Sequence, residues 1–249
     1  MIKKILSTLL VSSAFLVFAA TGTMADRPTI AIGYTAAYGG YEASGQEKEG
    51  KTSVQGGQEI NKASEAGEIG YSSLFMEVSF ADRVTIGASW MVDAVTTAMQ
   101  ERTDSLCTVA NKGSISYETN CSQANSGDTS NAGTSTVKAE FSNLVTAYVE
   151  LNIWNGLYAK YGIMDMDVNT KESLHTDSQY PNASMDGETY GFGWKGSFDN
   201  GVFIKTETLM QDWSDLKIEA TGATGDDNNT SVEASLKGAV ATISIGKAF

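Results

Sequence analysis

The stretch Tyr190 to Met210, YGFGWKGSFDNGVFIKTETLM, admits few folds. Before its turn, Tyr190, Phe192, Trp194, Gly196 and Phe198 alternate with Gly191, Gly193, Lys195 and Ser197. After Asp199-Asn200-Gly201 the period of two resumes, with Val202, Ile204, Thr206, Thr208 and Met210 opposed by Phe203, Lys205, Glu207 and Leu209. Such a pattern is a strand with one apolar face and one that is wet or tightly packed. A two-residue Asn-Gly turn would set Trp194 opposite Glu207. A three-residue loop with Gly201 left-handed pairs Phe198 with Val202 and Gly196 with Ile204, keeping the apolar faces together, and is the register predicted. In a soluble sandwich the apolar face would point inward; in a membrane barrel it would face lipid.

The start of the chain favours the barrel. Met1-Ile2-Lys3-Lys4 is basic, Ile5 to Ala20 carries no charge, and Thr23-Met24-Ala25 places small residues before a cut. This predicts a cleaved export signal over residues 1–25 and a mature domain over 26–249. The apolar run is short for a spanning helix of about 20 residues, so membrane residence would rest on strands. Removing 25 of the 249 residues leaves 224, a length one all-β domain reaches. Without Lys3 and Lys4 the 17 basic residues become 15 against 30 acidic ones, a net charge of −15. That balance excludes nucleic acid as a partner, which requires basic patches.

The same alternation recurs along the chain. Strand one runs Thr29 to Tyr38. Glu42 to Gly67 is polar and reads as a long loop. Strand two, about Ile69 to Phe80, is joined by Ala81-Asp82-Arg83 to strand three, which carries Val84, Ile86, Ala88, Trp90 and Val92 on one face. Val95 to Thr134 reads as a second loop. Strand four, Thr136 to Ile153, shows Val137, Ala139, Phe141, Val145, Ala147, Val149 and Leu151 on its apolar side. Trp154-Asn155-Gly156 leads into strand five, with Leu151 opposite Ala159 and Glu150 opposite Lys160. A third loop spans about Asp165 to Gly187, strands six and seven form the opening hairpin, and a fourth loop surrounds Asp212 to Thr230. In strand eight, Ser231 to Phe249, the apolar side is even at Val232, Ala234 and Leu236 but odd at Ile243, Ile245 and Phe249. That slip predicts a β-bulge near Gly238 to Val240. The fold class expected is all-β, a closed antiparallel up-and-down transmembrane barrel of eight strands. Ten remain open, because the second loop is long enough to hold a hairpin. Short turns lie at one rim and long loops at the other.

With these features the chain resembles the small outer-membrane β-barrels, the family of the OmpA transmembrane domain, OmpX and the opacity proteins. The final strand, ATISIGKAF, carries the most specific likeness: Phe249, Ile245 and Ile243 look like the signal read by the barrel-assembly machinery, with Lys247 where an apolar residue is usual. The resemblance implies a Gram-negative outer membrane, a monomer among outer-membrane lipids, no cofactor and no catalytic chemistry. The ligand of the loops is unknown.

Inside a ring of eight strands there is room for side chains and little else. The inward set is Glu77, Asp93, Lys138, Glu140, Glu150, Lys160, Lys195, Lys205 and Glu207. Charges so confined must be paired, and the pairs predicted are Glu150 with Lys160 and Glu207 between Lys195 and Lys205. One reading is a structural plug, with any recognition left to the loops; the alternative is a porin-like channel for ions or small solutes. A lipid-active enzyme or a soluble exported carrier ranks below both. His175, the single histidine, lies in a polar stretch without catalytic geometry. Cys107 and Cys121, the two cysteines, are expected to form a loop disulfide in an oxidising compartment. Neither they nor Asp226-Asp227-Asn228-Asn229 match a metal-site pattern. Phe80, Trp154, Phe198 and Phe249 fit an aromatic girdle at the short-turn rim.

Overall fold

A computed structural model of the chain describes residues 28–48, 60–81, 83–108, 115–117, 129–173, 179–221 and 231–249. The predicted signal segment, His175, Cys121 and Asp226 to Asn229 lie outside the described residues, as does the side chain of Cys107. Among the described residues there are twelve strands: β1 Thr29–Lys48, β2 Ile60–Phe80, β3 Val84–Met91, β4 Val95–Thr96, β5 Gln100–Thr108 and β6 Ile115–Tyr117, then β7 Thr129–Trp154, β8 Leu157–Ser173, β9 Ala183–Ser197, β10 Val202–Trp213, β11 Leu216–Glu219 and β12 Ser231–Ala248. Antiparallel neighbours run β3-β2-β1-β12-β10-β9-β8-β7, and β3 pairs back onto β7. The sheet is thus an eight-stranded closed barrel. Closure removes the free edges that an open sheet presents.

Of the four remaining strands, β4, β5 and β11 lengthen the wall without adding to the ring, and β6 pairs with β5. Along β7, β3 pairs over Val145 to Leu151, β4 over Glu140 and Phe141, and β5 over Thr129 to Val137. They act as one interrupted strand. β11 continues β10 in the same way, pairing with β12 over Ser231 to Ala234. The hairpin that the second polar stretch was able to hide therefore leaves the count at eight. The polar stretches also hold more strand than their composition suggests: β1 reaches Lys48 and β2 begins at Ile60, paired as Lys48 with Ile60.

Two of the rim turns follow the expected register. In the opening hairpin Ile204 pairs with Gly196, Gly201 has φ of 80°, and the amide of Phe198 donates to the Val202 carbonyl at 2.8 Å. At the next rim turn Phe80 pairs with Val84. The third departs from expectation at its tip. Leu151 faces Ala159 and Glu150 faces Lys160, but Trp154 pairs with Leu157 after a register shift at Ile153. Asn155 and Gly156 then form a two-residue turn with φ of 47° and 84°, the left-handed pair such a turn demands.

The predicted bulge is absent, and one that the alternation did not predict is present. β12 runs in unbroken register against β1 from Ser231 to Ala248, so no bulge lies near Gly238 to Val240. Its even positions face inward throughout, with Leu236 and Val240 buried, and Ile243 and Ile245 exposed outside. The apolar parity changes because the outer half of the lumen is itself apolar. A bulge does occur in β7, between Ser142 and Val145, where Asn143 has φ of 55°. It turns Ala139 and Phe141 inward, against the buried cluster of Leu144, Met164, Met166, Val168, Met185, Trp213 and Leu236.

The wall accommodates inward rings by a repeated device. Phe75, Phe203, Tyr148, Tyr158, Tyr41 and Trp213 each lie directly across from a glycine: Gly33, Gly246, Gly87, Gly193, Gly238 and Gly187 respectively. A Cβ at Gly87 would sit 2.5 Å from the Tyr148 ring. Each ring thus covers bare backbone on its neighbour, as aromatic residues do over strand glycines. Gly193→Val is expected to displace Tyr158 and lower stability in lipid vesicles by about 1–3 kcal/mol, the usual overpacking range. Gly40→Val, at a site with nothing within 4 Å of a Cβ, is the neutral control. Equal denaturant midpoints for the two variants would contradict the ring-on-glycine packing.

Candidate functional site

The outer surface and the lumen form one arrangement, and the strand period of two makes both. On the outside, exposed apolar residues encircle the barrel: Ile32 and Tyr34 on β1, Leu74 and Met76 on β2, Trp90 on β3, Val145 and Leu151 on β7, Leu157 and Ile163 on β8, Phe192 and Trp194 on β9, Met210 on β10, and Ile243 and Ile245 on β12. The belt ends on carboxylates one step beyond it: Glu42, Glu68, Asp165, Glu188 and Asp212. The Tyr38 hydroxyl donates to Glu68 at that boundary. At the other rim, Trp154, Phe198 and Phe249 are exposed and Phe80 is half-buried. Ten tilted strand residues cover an apolar band of about 25 Å.

Further out, beyond the belt, the Lys48 ammonium donates to Glu233 at 3.0 Å. That bond and one from Gln46 hold the Glu233 carboxyl below its ordinary range.

Within the lumen, four strands supply the charges of one cluster. Glu77 comes from β2, Glu150 from β7, Lys160 from β8, and Lys205 and Glu207 from β10. The Lys205 ammonium is 2 % exposed and contacts Glu77, which has no exposure at all, and Glu150. It lies 3.9 Å from Glu207. Lys160 donates to both oxygens of Glu207, at 2.9 and 3.1 Å, and is 3.8 Å from Glu150. Three hydroxyls complete the cluster: Tyr148 to Glu77 at 2.8 Å, Tyr158 to Glu207 at 2.8 Å, and Thr242 to Glu207 at 3.1 Å. The Lys160 ammonium also sits 3.9 Å above the Tyr148 ring. The contacts join β2, β7, β8, β10 and β12 across the lumen rather than along the wall.

Three charges assigned to the lumen from parity stand elsewhere. Lys138 and Glu140 are turned outward by the β7 bulge, since every position before it changes face. Glu140 there pairs with Lys171 at 3.4 Å and accepts from Asn169 at 3.3 Å. Asp93 is exposed past the end of β3 and accepts from Ser72 at 3.3 Å. Lys195 remains inside but directly opposite Lys205. It therefore lies over the Phe203 ring at 4.1 Å, and Lys160 takes the place predicted for it beside Glu207. Tyr148, Tyr158 and Thr242 escape a search for charges. Their one signal in the sequence is an inward parity, reinforced for the two tyrosines by a glycine across the ladder.

Above and below, the cluster is bounded by apolar layers. Phe75 and Phe203, with ring centroids 6.2 Å apart, pack with Ala31 and Ala248. The Met-rich group around Leu144 and Trp213 fills the other side. Between that group and the charges is a cavity of about 40 Å³, enough for a few water molecules. Such geometry can lock the barrel and block its axis. Among the described residues no group of three or more His, Cys, Asp or Glu side chains is placed to hold a metal ion.

No family model matches the chain, and no curated protein matches its sequence. Among solved structures, the outer membrane protease OmpT of Escherichia coli superposes with a TM-score of 0.43 at 10 % identity, over 92 % of this chain and all of that one. Outer membrane protein OprG of Pseudomonas aeruginosa gives 0.42 at 10 % identity, over 87 % of this chain and 96 % of that one. Outer membrane protein AlkL, solved in lipid bilayers, gives 0.41 at 10 % identity, over 87 % of this chain and 90 % of that one. At such scores the likeness carries no argument about activity, and the barrel stands on the strand pairing of this chain.

Proposed function

We propose that this chain is an integral outer-membrane β-barrel whose lumen is plugged by its own salt bridges, with a structural or surface-interaction role. The observation that carries the reading is the inversion of polarity: apolar side chains face outward on all eight ring strands, while Glu77, Glu150, Lys205 and Glu207 are buried inside. A soluble body would place them the other way round, since exposed apolar patches of this extent are rare on monomers in water. The strand extensions beyond the belt carry the recognition surface, and the reading includes no catalysis. Phe249, Ile245 and Ile243 lie on the outer row of the last strand, where the assembly machinery would meet them.

Fractionation tests the location. The chain is expected in the outer-membrane fraction, requiring detergent for extraction and running faster on a gel unheated than boiled. Recovery in a soluble fraction, or one mobility under both conditions, would refute the proposal. Conductance tests the plug: purified protein in planar bilayers is expected to show no steady openings. Sustained channel activity of the unaltered chain would establish the porin-like alternative instead.

A further inference from the structure

We infer that the cavity between the charge cluster and the Met-rich layer is a hydration site, binding up to about three water molecules as part of the folded protein. Its volume of about 40 Å³ admits that number, at roughly 10–15 Å³ for each water centre. The walls are built for a neutral donor and acceptor: Thr189, Thr146, Ser73 and Gln211 line one part, Lys160 and Glu207 another. The decisive group is Thr189. It is 1 % exposed, lines the cavity, and its Oγ1 has no hydrogen-bond partner among the described residues. Buried hydroxyls are otherwise almost always partnered, and water is the commonest partner where the protein supplies none.

Charge balance selects water over an ion. Glu77, Glu150 and Glu207 are matched inside the barrel by Lys160, Lys205 and the Lys195 ammonium over Phe203. The lumen needs no counter-ion. Waters there would join the Tyr41–Gln211–Tyr71 hydrogen bonds, at 2.8 and 3.2 Å, to the Lys160–Glu207 pair. The inference rests on the barrel's interior alone, so it stands or falls separately from the membrane in which the barrel resides.

The test is water-to-protein cross-relaxation by NMR on the full barrel in lipid nanodiscs. Long-lived water is expected at the Thr189 methyl and the Gln211 side-chain amide, and is expected to vanish in Ala37→Leu, which fills the cavity from its wall. No such signal in the unaltered protein, or its persistence in the filled variant, would overturn the assignment. Where Ala37→Leu fails to fold, Thr189→Val serves, with the bound-water count from oxygen-17 relaxation expected to fall by at least one. An unchanged count, or a resonance shift at Thr189 on exchanging sodium for potassium or chloride for sulfate, would equally overturn it.

Discussion

Lys205→Met is expected to destabilise the barrel in lipid vesicles by about 3–5 kcal/mol, the usual effect of removing one partner from a buried ion pair. Lys205 contacts both Glu77 and Glu150 while standing 3.9 Å from Glu207. Without its ammonium, three buried carboxylates are left with two cations, Lys160 beside Glu207 and Lys195 over the Phe203 ring. Most of the loss is the cost of buried charge left without compensation, not the strength of the pairs themselves. A rescue follows from that distinction. Adding Glu77→Gln removes the most deeply buried of the stranded carboxylates, so the double variant is expected to recover part of the loss. Urea titration followed by fluorescence and gel mobility reads both numbers. A single-variant loss below about 1 kcal/mol, typical of an exposed pair, would show that the cluster does not hold the barrel together.

The second large effect lies on the opposite face. Ile243 points outward near the middle of the apolar belt, 58 % exposed. Ile243→Arg is expected to cost about 2–4 kcal/mol in vesicles, as a cation does at the bilayer midplane. Lys237→Ala, three outward steps along the same strand and beyond the belt, is expected within about 0.5 kcal/mol of the unaltered protein. Its side chain is exposed, 3.5 Å from Asp212. Were the barrel surrounded by water, an added arginine on an exposed position would be harmless. The contrast between the two sites therefore reports what the belt touches.

Most of the wall was legible because alternation is unambiguous wherever one face meets the belt. The pairings of Glu150 with Lys160 and Gly196 with Ile204 follow from parity and turn length alone. Alternation loses its meaning in two places. Past the belt both faces are polar, so residues 42–48 and 60–68 carry no apolar rhythm and still form ladder. Along Val232, Ala234 and Leu236 the inward face is apolar, so a change of interior layer looks the same as a bulge. The true bulge at Asn143 gives no such warning, because Phe141 and Val145 are apolar on either side of it and one points in while the other points out. That single left-handed residue accounts for the misplacement of Lys138 and Glu140. The charge cluster was legible as composition but not as a pairing scheme. Contacts across a lumen depend on which strands face one another around the ring, and Lys195 lost its predicted partner to Lys160 for that reason.

The four tryptophans of the chain allow the central claim, that the apolar face meets acyl chains, to be read directly. Trp90 and Trp194 point outward and Trp213 is buried in the lumen. In vesicles of lipids brominated along the acyl chain, a variant retaining Trp194 alone is expected to be strongly quenched and one retaining Trp213 alone to be nearly unaffected. Strong quenching at Trp213 with none at Trp194 would contradict the account.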